Sequence, residues 1–129
     1  MDVIWMAVAA GSAVGGLLRH LLTEFATRTL GGGFPLGTLA VNVLGSAAIG
    51  MSAAAIAHGW PSPWSPGVRH ALVTGALGGF TTFSAFSMQT LALLQQGQVL
   101  PAAINVGASV GLGIAACWAG FSGLLALAR

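Results

Sequence analysis

Charged residues are scarce in this chain: four basic and two acidic side chains among 129, or 5%. A soluble domain carries about 25%, so this one cannot cover itself with a surface that water tolerates. The mean hydropathy of +0.89 points the same way, to an integral membrane protein. The acids are Asp2 and Glu24, both at or beyond the ends of apolar runs. No carboxylate therefore sits within a span, where a proton-coupled exporter of cations would need one. Hydrogen-bond donors without acids favour an anion. The arginines at 19, 28, 69 and 129 are scattered, so despite a sequence pI near 10.2 no basic patch forms and nucleic acid is excluded. Cys117 is the single cysteine and cannot make an internal disulfide. No basic n-region precedes the first apolar run, which reads as a retained helix rather than a cleaved signal. There is no nucleotide-binding P-loop and no nucleophile–base pair at useful spacing. His20, His58 and His70 fall near helix ends and read as interfacial residues. An enzyme is not expected.

What the chain has in quantity is glycine, 20 of 129, as expected where membrane helices pack backbone to backbone. Four apolar segments span about 3–22, 35–57, 68–94 and 100–127. At 1.5 Å per residue each can cross a hydrocarbon core of about 30 Å. A single four-helix transmembrane domain follows. The connections are a polar stretch over 23–33, a segment over 58–67 where Pro61, Pro63 and Pro66 exclude a helix, and a tight uncharged turn over 95–98. Pro35 suits a first helical turn. Trp5, Trp60 and Trp64 fall near membrane–water boundaries. Four helices put both termini on one side, with Arg69 and Arg129 there and Arg19 and Arg28 opposite. That even split gives the positive-inside rule no preference. The expectation is an antiparallel, dual-topology homodimer with its two-fold axis in the membrane plane.

Polar residues recur on the apolar helices at helical spacing. Thr38, Asn42 and Ser46 are four apart and share a face, as do Asn105, Ser109, Gly113 and Cys117. Such stripes either glue helices together or present a ladder of donors. Gly107 and Gly111 form a small-xxx-small motif that reads as a packing face. The third segment carries the strangest run, residues 75–89. The adjacent glycines invite a break in the helix, expected near Gly78–Thr81, freeing carbonyls and amides that lipid cannot satisfy. Beyond them Phe83, Phe86 and Ser87 project from neighbouring positions. Phenylalanine rings have positive edges that an anion can approach, although a phenylalanine pair is ordinarily packing.

Three motifs carry a resemblance: Gly-Gly-Leu-Leu-Arg at 15–19, Gly-Thr-Leu-Ala-Val-Asn-Val-Leu-Gly at 37–45 and Gly-Gly-Phe-Thr-Thr-Phe-Ser-Ala-Phe-Ser at 78–87. In order, and over all four helices, they resemble the small bacterial fluoride channels called Fluc or CrcB. The resemblance implies a passive, fluoride-selective channel in the bacterial inner membrane that exports fluoride and lowers its toxicity. It implies a dual-topology homodimer with two antiparallel pores and a structural sodium ion, not transported, at the dimer interface. Carried onto this sequence, the backbone carbonyls of Gly78 and Thr81 would hold the sodium. Phe83 and Phe86 would line the pores, Asn42 would donate to fluoride, and Ser109 would be a pore-lining hydroxyl. Arg19 would stand near the vestibule. Thr38, Ser46, Thr82, Ser84, Ser87 and Asn105 are further pore or vestibule candidates. Two positions depart from the family pattern: Gln89 stands where many relatives carry Glu, and Gly113 where some carry Ser.

Two other readings stay open. A small multidrug-type exporter shares four helices and dual topology, but lacks the expected acid in the first helix, where Ser12 and Arg19 are the only polar candidates. A non-transporting assembly subunit would use the glycines for packing and leave the Thr-Thr-Phe-Ser-Ala-Phe-Ser run without a purpose.

Overall fold

The computed structural model describes residues 2–59 and 65–128. Trp60, Pro61, Pro63, Trp64 and Arg129 lie outside the described residues, and with them part of the boundary and charge expectations. The chain is an all-α, multi-pass membrane protein with four helical spans long and apolar enough to cross a bilayer. Helix α1 is Asp2–Leu30 and α2 is Leu36–Ala57. The third span is composite: α3 (Pro66–Arg69), a π-helix (His70–Leu77), one α-turn termed α4 (Gly78–Phe80), two extended residues, then α5 (Phe83–Gln95). The last helix, α6, is Val99–Leu127. Trp5 is exposed in the first turns of α1.

Helix α1 does not stop near Leu22. Residues 23–30, read from composition as a connection, continue the helix. Thr23, Thr27 and Thr29 satisfy their hydroxyls on carbonyls four residues back. Glu24 meets both His20 and Arg28 one turn away, a spacing that supports a helix. The stop is Gly31, at φ +84, a left-handed position that glycine takes at low cost. Pro66 does not exclude a helix either. It is the first residue of α3, behind the Ser65 cap, where its missing N–H would have been unpaired anyway. Pro35 is the residue before α2 rather than its first turn.

The molecule is two helix pairs leaning on one another. Helix α1 packs against the π-helix and α4 through glycines on both sides. A Cβ on Gly11 or Gly15 would overlap the carbonyl of Ala71 or Ala76, and one on Gly75 or Gly79 would press on Val8 or Ser12 backbone. The second pair is α2 and α6, closed by Gly50 against the Cys117 carbonyl and by Gly120 against that of Ala47. The stripe of Gly113 and Cys117 is thus the face that meets α2. Gly107 and Gly111, read as a packing motif, are exposed with open space beside them. The pairs join where Gly37 meets Thr23 and Ala26, and where the Asn105 amide donates to Thr90 Oγ1 at 3.0 Å. Large apolar side chains such as Ile114 and Trp118 point outward, 68% and 70% exposed, as lipid-facing residues should.

Candidate functional site

The break in the third span falls at Thr81 and Thr82, at the end of the expected stretch and past its glycines. Gly78 and Gly79 are helical. Glycine at 79 is required because Ser12 backbone lies against it, so its lack of a side chain serves close packing. Thr81 and Thr82 are extended, at ψ 155 and 112. Several of the backbone groups this frees have a specific answer. The Thr82 N–H donates to Asn42 Oδ1 at 2.7 Å, and Asn42 Nδ2 donates back to the Thr82 carbonyl at 3.0 Å. Arg19 Nη1 donates to the Thr81 carbonyl at 3.2 Å. The Thr81 hydroxyl donates to Leu77 O, and Thr82 Oγ1 accepts from Ala85 N as the cap of α5. Because the Thr82 N–H is taken by Asn42, the Gly78 carbonyl loses its normal helical donor. Open space surrounds Gly78.

A groove of about 670 Å³ runs along this break. Its walls bring together Asn42, Ser46, Thr82, Phe83, Phe86 and Ser109, with Gly78 and Thr81 at its edge. The two rings sit 5.3 Å apart, tilted by 48°. Phe83 is 77% exposed and Phe86 is half-buried, so the pair lines the groove rather than filling a core. One Asn42 amide hydrogen is spent on Thr82; the group has a second, and the residue still faces the groove. No carboxylate lines it. Glu24 is engaged with Arg28 and His20, so the partly buried Arg19 guanidinium meets no acid among the described residues. Arg19 thus brings a positive charge to the break that no described acid offsets.

Several other candidates land elsewhere. Asn105 is 2% exposed and bonded to Thr90; it glues α6 to α5 and does not line the groove. Ser84 bonds Thr82 Oγ1, and Ser87 donates to the Phe83 carbonyl; neither is a wall residue. Thr38, 5% exposed, lines a second cavity of about 280 Å³ together with Gln89. The Gln89 Oε1 atom is buried there with no hydrogen-bond partner among the described residues. Sequence reasoning overlooked Thr74, which lines the main groove. Its signal was its position four residues before Gly78.

Over residues 6–121 the chain matches the family described as CrcB-like protein, Camphor Resistance (CrcB). The chain belongs to the CrcB-like family. Curated relatives agree in length as well as in sequence. A Rhizobium johnstonii protein named Fluoride-specific ion channel FluC is 46% identical over 94% of this chain and 95% of its own. Proteins of the same name from Paramagnetospirillum magneticum and Vibrio cholerae are 47% identical (88% of each chain) and 42% identical (92% of each). The aligned stretch contains every residue of this CrcB-like groove, from Asn42 to Val110.

Proposed function

We propose that the chain is a passive, fluoride-selective ion channel and not an enzyme. The observation that carries this reading is the acid-free groove at the helix break, which Asn42, Ser109, Phe83 and Phe86 all line. Fluoride holds its water tightly, so a selective path must replace hydration with positioned donors. The Arg19 charge and the unpaired amides at the start of α5 favour an anion over a cation there. Relatives at 42–47% identity carry the name fluoride-specific channel.

The pore closes only in an antiparallel homodimer. Phe83 is exposed in the single chain and lines the groove beside the helix break. A second copy related by a two-fold axis in the membrane plane would cover it. The Gly78 carbonyl has lost its helical donor, which suits a cation ligand; the Thr81 carbonyl keeps a second lone pair beside its Arg19 bond. Gly78 and Thr81 from two copies would hold a structural sodium ion that offsets the repulsion of facing carbonyls. In the bacterial inner membrane, fluoride that enters as HF and ionises inside would leave through the channel, lowering its toxicity.

Purified protein in liposomes, with fluoride release followed by an electrode, tests the channel reading. Release well above that of protein-free vesicles is expected, and chloride passing as readily as fluoride would sink it.

A further inference from the structure

Six hydroxyls in these helices spend themselves on the backbone. Thr23, Thr27, Thr29, Ser52, Ser87 and Thr90 each donate to the carbonyl four residues back, at 2.8–3.0 Å. Thr74 does not. It lies in the π-helix His70–Leu77, whose wider turn moves the carbonyl that an α-helix would offer. No described residue accepts or donates a hydrogen bond at its hydroxyl.

The reason for the π-turns is on the opposite side. The carbonyls of Ala71 and Ala76, five residues apart, both press toward glycines of α1, namely Gly11 and Gly15, which are four apart. A five-residue repeat on one helix is thereby matched to a four-residue repeat on the other. With Ala71, Gly75, Ala76 and Gly79 held against α1, the side chains of Val73, Thr74 and Leu77 are turned to the groove. Two further groove hydroxyls, Ser46 of α2 and Ser109 of α6, also lack a hydrogen-bond partner among the described residues. Thr74 is exposed and Ser46 and Ser109 are half-buried along the groove, so their uncommitted hydroxyls are open to an ion that enters it.

We propose that Thr74 is an anion-coordinating residue: its hydroxyl, freed by the π-helix, joins Ser46 and Ser109 in a second donor station of the groove, beyond Asn42 and the phenylalanine pair. The ligand is a small dehydrated anion, and the inference rests on the fluoride-channel reading. The station lets the ion exchange one set of donors for another rather than face an apolar wall formed by Val73, Leu77 and Val110.

The test is fluoride efflux from liposomes with wild type, Thr74→Val, Thr74→Ser and, as a control outside the groove, Ser52→Ala. Thr74→Val keeps the shape and removes the hydroxyl. Its flux should fall by about tenfold or more, the scale of one hydrogen bond to a charged group, at an unchanged elution volume and thermal midpoint. Thr74→Ser should stay within a few-fold of wild type, and Ser52→Ala should match it. Equal flux for wild type and Thr74→Val would overturn the inference alone. If Thr74→Val does not fold, Thr74→Ser against Thr74→Ala decides, with equal rates overturning it. Wild-type flux no greater than that of protein-free vesicles would instead remove the channel reading, and this inference with it.

Discussion

Asn42 does two jobs with one amide. Its oxygen and one hydrogen close a reciprocal pair on Thr82, and a second hydrogen is left for the groove that the residue lines. Spacing on α2 revealed the second job but not the first, because the partner lies forty residues away and no local pattern announces a backbone that needs capping. Asn42→Ala leaves the Thr82 N–H and carbonyl unpartnered at about 1–3 kcal/mol each. A lower thermal midpoint together with lost flux is expected; a stable but non-conducting variant would mean that the cap contributes little. Asn42→Asp keeps the acceptor, loses the donor and places a negative charge on an anion path, so efflux should fall further than stability does.

At the scale of elements, the four spans were legible because length and apolarity alone decide them. The ends were not. Residues 23–30 look like a loop by composition, yet threonine hydroxyls bonding backward and the pairs around Glu24 let the helix run on to Gly31. The glycines at 78 and 79 looked like a break, but a membrane helix gains from glycine wherever another backbone comes close, and α1 does so here. The π-helix had no readable signature, since it arises from matching two glycine-lined faces of unequal repeat. A paired substitution examines this packing. Gly15→Ala drives a methyl into the Ala76 carbonyl, an overpacking worth about 1–3 kcal/mol of destabilisation. Its neighbour Gly16 has open space, so Gly16→Ala should be neutral or slightly stabilising. Thermal unfolding in detergent reads both, and equal effects would contradict the close α1 crossing.

For the whole molecule, the composition already fixed a membrane protein with only two acids, and residues 78–87 already held the groove's most telling side chains. What folding adds is the company they keep: Arg19 and Asn42 at the break, with Phe83, Phe86 and Ser109 lining one groove. The proposed two-fold assembly has its own test. Exhaustive sodium removal should dissociate the dimer or abolish conduction, by cross-linking and by efflux respectively; unchanged behaviour in both would remove the sodium site.

The central claim is that the aromatic edges and donors of one groove conduct fluoride and refuse larger halides. Fluoride and chloride electrodes placed in the same suspension of proteoliposomes test it, with wild type compared to Phe83→Ile and Phe86→Ile. The account predicts rapid wild-type fluoride release with chloride retained, and fluoride release cut at least about tenfold in each variant, the scale of one lost ion contact, while the protein stays folded. Full fluoride release by both variants, or chloride leaving alongside fluoride from the wild type, would contradict it.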